Sequence, residues 1–306
     1  MSILSQRLIA LMFCILLLQG CSDSSDSPES KPTNPVLIQA ELAALEINRK
    51  QQDAWNALDA NTEAAVNHYP FIRLSAGTLI VFETFEAYRD IVDAISLPNL
   101  LTSEWDHTEW DQLEAFQSSP TKVHLAGSFS RINKNGEKYL STATVRIVTK
   151  EQDTWGIKVR STAPLTRPDE LGETMKNEIA AAESAAMLVL KNYIQAWNER
   201  DSPSLSELHH YPSLLLQGVD LQRFDTPEDY ISYQENTVFH HLDYAEWDHS
   251  DLGYADVIQS GIDTVHIAIE CENFNVLGES CGGAEKGLWI ITRVEDKWGI
   301  HARSQF

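Results

Sequence analysis

Two long stretches of this chain carry apolar residues at steps of three and four, and each hands over to shorter segments that alternate. In the first, residues 37–58, Leu42, Leu45 and Trp55 mark a helical face. In the second, from about residue 169 to 198, the face is Met175, Ile179, Ala182, Ala186, Val189, Tyr193 and Trp197. Pro168 followed by Asp169 and Glu170 suits the start of that helix. A second, short helix should precede His68-Tyr69-Pro70, and another His210-Tyr211-Pro212, since the residue before a proline is pushed out of the helical region. Short strands are expected next at 71–74 and 79–82 about Ala76-Gly77, and at 213–216 and 221–224 about Gly218. Thr226-Pro227-Glu228-Asp229 reads as an N-cap, a first-turn proline and two acids, with Thr84 placed likewise earlier on. The rest is β. A strand opens at Glu104-Trp105-Asp106-His107, another spans 122–132 with Val123, Leu125, Gly127 and Phe129 alternating, and Asn135-Gly136 signals a hairpin turn. Strands at 139–149 and 155–161 close the pattern.

The second half repeats the first. Glu104-Trp105-Asp106-His107 returns as Glu246-Trp247-Asp248-His249, an offset of 142 (246 − 104). The same offset carries Ala54-Trp55-Asn56 onto Ala196-Trp197-Asn198, His68-Tyr69-Pro70 onto His210-Tyr211-Pro212, and Val123-His124 onto Val265-His266. Near the end it becomes 143, matching Trp155-Gly156-Ile157 to Trp298-Gly299-Ile300 and Arg160-Ser161 to Arg303-Ser304. So long a period excludes a solenoid, whose units run to roughly 20–50 residues. It marks a tandem duplication, with domains expected at 37–163 and 168–306 and a short join between them. The 306 residues, 43% hydrophobic, suffice for two cores. Lys and Arg number 23 against 45 Asp and Glu, a net charge of −22 that repels nucleic acid and anionic headgroups.

The first twenty residues read as a leader. Arg7 supplies the positive end, and an apolar run over 8–18 is shorter than the roughly 20 residues a membrane span needs. It closes on Leu18-Gln19-Gly20-Cys21, which resembles the lipobox of bacterial lipoproteins, with Gln19 a mild departure. That resemblance implies cleavage of residues 1–20 and acylation of Cys21. Ser22 behind it points to the periplasmic face of the outer membrane, the lipid being the only membrane contact. Residues 21–36, rich in Ser, Asp and Pro, form a solvated tether.

The order helix, helix, hairpin, helix and four-strand meander, with Trp-Gly-Ile-x-x-Arg-Ser ending each copy, resembles the nuclear transport factor 2-like superfamily. The resemblance covers nearly all of both copies. It implies an α+β fold of two tandem cones, each with helices packed in a curved antiparallel sheet and a pocket at the wide end. Superfamily members include isomerases, dehydratases, hydrolases and plain binding domains, so the site must decide function. Strand alternation would point Trp105 and His107 together, and Trp247 and His249 likewise, while His68, Tyr69, His210 and Tyr211 lie where helix hands over to sheet. These eight are the pocket candidates, with His107 as a base and His68 or Tyr69 polarising a carbonyl or hydroxyl. A packed aromatic beside a hydrogen-bonded His, and a His-Tyr-Pro that only stops a helix, is the plainer reading of each residue alone. The superfamily's catalytic Asp pairs have no match here, so no active site is carried over.

His124 and His266 lie opposite the apolar face of their strands, where they would either line the pocket or cover the sheet's other side, the second being the expectation. For Arg160 and Arg303 an ion pair with an acid on the sheet is expected. No metal-ligand spacing, nucleotide loop or cofactor motif occurs. Of the four cysteines, Cys14 leaves with the leader and Cys21 carries lipid. Cys271 and Cys281 are expected to form a disulfide in an oxidising periplasm. Three functions stay open: a lipid-anchored periplasmic binding or interaction protein for a small apolar or carbonyl-bearing ligand, a His-based lyase or isomerase, and an envelope scaffold with filled cones. The two sheets are expected to pack back to back as an intramolecular pseudo-dimer.

Overall fold

The computed structural model describes residues 34–75, 77–163, 166–167 and 172–306. The leader, Cys14, Cys21, most of the tether and the start at Pro168, Asp169 and Glu170 lie outside the described residues. Copy one opens with α1 (Pro35–Asn56), capped by the Asn34 side chain on Val36 N, and α2 (Ala60–Ala65), capped by Asp59. The hairpin β1 (Asn67–Ser75) and β2 (Thr78–Phe82) follows, then α3 (Phe85–Ile91), which Thr84 caps. A π-helical turn (Val92–Ser96) leads into α4 (Leu97–Leu101). The meander is β3 (Trp105–Ser118), β4 (Lys122–Asn133), β5 (Lys138–Glu151) and β6 (Thr154–Thr162). Copy two repeats this as α5 (Glu173–Asn198), α6 (Ser202–Glu207), β7 (His209–Gln217), β8 (Asp220–Phe224), α7 (Pro227–Tyr233), a π-helical turn (Gln234–Val238), α8 (Phe239–Tyr244), β9 (Trp247–Ser260), β10 (Thr264–Asn275), β11 (Ser280–Val294) and β12 (Lys297–Gln305). Thr226 and Asp229 form a full capping box at α7.

Each copy builds one six-stranded sheet, ordered β2-β1-β6-β5-β4-β3 and β8-β7-β12-β11-β10-β9. Pairing is antiparallel throughout except where β1 joins β6, and β7 joins β12, in parallel. That junction welds the hairpin to the meander, a link no local pattern announces. The helices lie in the hollow of the curved sheet. The buried face of α1 is a narrow stripe of Ala40, Ala44, Asn48, Gln51 and Ala54, whereas Leu42, an expected face residue, is 52% exposed. Copy two keeps more of its expected face: Ala182, Ala186, Val189 and Tyr193 are buried, with Leu190 and Ala196.

The outer faces of the two sheets meet. One apolar cluster joins Ile72, Leu74, Val145, Ile147 and Val159 to Leu214, Leu216, Leu288, Ile290 and Ala302, the same five positions from each copy. Polar contacts around it repeat the same symmetry. His124 Nε2 lies 2.9 Å from Ser304 Oγ, and His266 Nε2 lies 2.7 Å from Ser161 Oγ. Gln117 Nε2 donates to Ile269 O at 3.3 Å, and Gln259 Nε2 donates to Gly127 O at 2.6 Å. One member breaks the symmetry: Lys122, matched by Thr264, donates to Leu216 O and Gln305 O and sits over the Phe306 ring.

The expected disulfide is corrected. Cys271 and Cys281 are free thiols, because the β10–β11 register separates them. Cys271 faces Glu285, while Cys281 follows Ser280, which faces Phe274. Phe274 is three positions from Cys271 (274 − 271), or about 10 Å along a strand. Burial pushes the Cys271 thiol up to about 11.

The buried inter-sheet histidines set a pH dependence. Burial holds His266 down to about 4 and, with the Lys122 charge, puts His124 well below its ordinary value. As pH falls below about 6.5 the unfolded chain takes up protons that the folded chain refuses, so stability is lost between about pH 6.5 and 4. His266 alone should cost up to about 3 kcal/mol across that window. Urea unfolding at stepped pH should show the decline, and His266→Gln should make it shallower, with His124 and the buried His209 and His301 supplying the rest.

Candidate functional site

The repeated motifs turn out to brace the cones. Tyr69 donates its hydroxyl to Ala64 O at 2.8 Å, and Tyr211 to Ser206 O at 3.0 Å, which pins each strand to the helix before it. Burial raises both phenols to about 12. His68 lies over Gly156, with Nδ1 2.9 Å from Thr149 Oγ1 and 3.3 Å from Glu151. His210 lies over Gly299, with Nε2 3.1 Å from Thr292 O. Burial lowers both imidazoles.

The Trp-x-His pair does not share a face. A β-bulge between Trp105 and His107 inserts one residue, and another does so between Trp247 and His249. Trp105 therefore points into the core with Thr108, its Nε1 donating to Thr108 Oγ1 at 3.0 Å, and Trp247 does the same with Ser250. His107 is left outside between Asp106 and Glu109, whose hydrogen bonds raise its pKa. His249 sits likewise beside Asp248. Asn56 holds the bulge, donating to Thr108 O at 2.9 Å and accepting from Thr108 N at 2.9 Å; Asn198 holds Ser250 in the same way. None of the eight expected pocket residues lines the cavity of either cone.

The N-terminal cone encloses a cavity of about 340 Å³, and its charged lining is all arginine: Arg73, Arg131, Arg146 and Arg160. Three of these form one row across adjacent strands, Arg73 on β1 facing Arg160 on β6, which faces Arg146 on β5. Like charges set directly opposite repel. Among the described residues one carboxylate answers them: Glu63 Oε1, 3.4 Å from Arg160 and also accepting from Gln51 and Tyr88. The expected ion pair of Arg160 thus exists, but its acid comes from α2 rather than the sheet. Arg160, together with burial, lowers Arg73 to about 10; burial, together with Arg160, lowers Arg146 to about 9. Arg146, 3% exposed, reaches Gln51 and Thr144 among the described residues and lies over the Trp110 ring at 5.3 Å. Arg131 Nε, Trp110 Nε1 and Gln52 Oε1 are buried at this wall without a partner. Trp55, Trp110 and Phe129 supply the aromatic surface.

In copy two the matching positions are Leu215, Asn273, Trp289 and Arg303, and Glu63 becomes Leu205. The row there reads Leu215, Arg303, Trp289. Arg303 has no ion-pair partner among the described residues; it donates to Tyr193 Oη at 2.5 Å and stacks over Tyr193 and Trp289. The space there divides into a cavity of about 520 Å³, lined by Gln217, Gln222, Gln234 and His241 among others, and one of about 50 Å³ that shares Trp197, Asn273 and Arg303 with it. Sequence reasoning missed Arg73, Arg131 and Arg146. Their signal lay in the differences between the copies, at positions where one repeat holds arginine and the other does not. Among the described residues no group of three or more His, Cys, Asp or Glu side chains is placed to hold a metal.

No family model and no curated protein matches the chain. Among solved structures it is similar to a nuclear transport factor 2-like protein of unknown function from Pseudomonas putida KT2440, at 16% identity over 41% of this chain and 86% of that one, TM-score 0.34. It is also similar to such a protein with a cystatin-like fold from Novosphingobium aromaticivorans, at 18% identity over 40% and 79%, TM-score 0.35. A third is the hexachlorocyclohexane dehydrochlorinase of Novosphingobium barchaimii LL02, at 13% identity over 42% and 86%, TM-score 0.35. Each copy is an α+β cone, with its helices in the hollow of one curved six-stranded sheet.

The His–Gly contacts give an asymmetric prediction. A Cβ on Gly156 would meet the His68 ring at 2.5–2.8 Å, whereas one on Gly299 would meet His210 at 3.0–3.2 Å. Gly156→Ala should therefore destabilise by about 1–3 kcal/mol in chemical denaturation, and Gly299→Ala by less. Adding His68→Ala to Gly156→Ala should recover part of the loss.

Proposed function

We propose that this protein is a lipid-anchored binding protein of the bacterial envelope, tethered through Cys21 at the periplasmic face of the outer membrane. Its N-terminal cone holds a small molecule, and the two cones act as an intramolecular pseudo-dimer that keeps that pocket rigid. The observation that carries this reading is the cavity of about 340 Å³ whose wall presents buried polar groups with no protein partner. That volume sits at the lower end of ligand pockets, about 300–1,000 Å³. Binding is favoured over acid–base catalysis because no His, Asp, Glu or Cys side chain lines that cavity. Its Tyr88 hydroxyl is engaged with Glu63 and pushed far up by burial.

Native mass spectrometry of the detergent-purified full-length protein should show a co-purified small molecule. Apo protein from several growth conditions would count against a binding role. Cys21→Ala should abolish palmitate labelling; a labelled variant would refute the anchor.

A further inference from the structure

We infer that the ligand of the N-terminal cone is an organic dicarboxylate with a flat apolar body, one acid group seated on the Arg73–Arg160–Arg146 row and the other near Arg131. The inference rests on the binding role proposed above and names its ligand class. Four guanidiniums face one cavity with a single carboxylate, Glu63, in reach of one of them. Burying like charges side by side destabilises a sheet unless an anion answers them. The planar guanidinium fork matches a carboxylate with two parallel hydrogen bonds.

The arginines form two subsites. Arg146 faces Leu125 across the β4–β5 ladder, and Arg131 lies six positions further along β4 (131 − 125). Both reach the same cavity, so a ligand that meets both must be elongated. Its middle would lie against Trp55, Trp110 and Phe129, which favour a flat body, while Trp110 Nε1 and Arg131 Nε offer unused donors. The second cone shows what the same scaffold does without such a ligand. Its row is Leu215, Arg303 and Trp289, so one guanidinium stands where the N-terminal cone sets three, and the Tyr193 and Tyr230 hydroxyls accept from its two terminal nitrogens while its Nε is unpartnered among the described residues. Only the N-terminal cone is therefore assigned this ligand.

The test uses full-length protein in detergent and calorimetric titration with three compounds: terephthalate, benzoate and the neutral isostere terephthalamide. Terephthalate should bind most tightly, benzoate more weakly, and terephthalamide not measurably. Arg73→Gln and Arg146→Gln should each weaken terephthalate by about tenfold or more, and Arg303→Gln in the other cone should leave it unchanged. Arg131→Gln should weaken terephthalate and spare benzoate. If Arg146→Gln fails to fold, Arg73→Gln carries the test of the row. Terephthalamide binding as tightly as terephthalate, or unaltered binding by Arg73→Gln, overturns the ligand class but leaves a small-molecule pocket standing. Inorganic phosphate displacing terephthalate at equal concentration overturns the two-subsite geometry. No binding of any compound overturns the inference, and the binding role itself falls only if native mass spectrometry also finds nothing.

Discussion

Each sheet has a convex face of branched aliphatic residues that water cannot cover cheaply, and the fold depends on how that face is hidden. The duplication solves the problem within one chain. Ile72, Leu74, Val145, Ile147 and Val159 meet their own counterparts, so a patch that is self-complementary by descent closes on itself. The pairing closes these two sheet faces to further copies. It also stiffens the sheet from behind, which matters for the hollow in front. The side chains that alternate with Ile72 and Leu74 are Arg73 and Ser75, and both line the cavity.

The two copies share their frame and differ in their contents. Shared residues do structural work: Asn56 and Asn198 hold the bulges, Tyr69 and Tyr211 tie strand to helix, and Gly156 and Gly299 admit the histidine rings. The residues that diverged lie inside the cones. Arg146 became Trp289, Arg73 became Leu215, and Glu63 became Leu205 or the reverse. Without the acid, Arg303 has the Tyr193 and Tyr230 hydroxyls and the Trp289 ring around it in place of an ion pair. A repeated motif therefore marks what both cones need to stand, and a divergent interior marks what one cone does alone.

Local pattern determined much of this protein. The repeat, the capping residues Thr84 and Thr226 and the Asn135-Gly136 turn are legible in the sequence, and the expected elements form in the expected order, with a π-helical turn and a further short helix added before each meander. What only the tertiary structure decided depends on single-residue insertions and long-range pairing. One bulge after Trp105 turns His107 outward, because side-chain direction in a strand reverses with every residue. The β10–β11 register keeps Cys271 and Cys281 apart although ten positions separate them in sequence (281 − 271). Most of all, the parallel pairing of β1 with β6 sets Arg73, Arg160 and Arg146 side by side. They come from strands far apart in the chain, so no window of sequence contains the row, and only the folded sheet concentrates their charge.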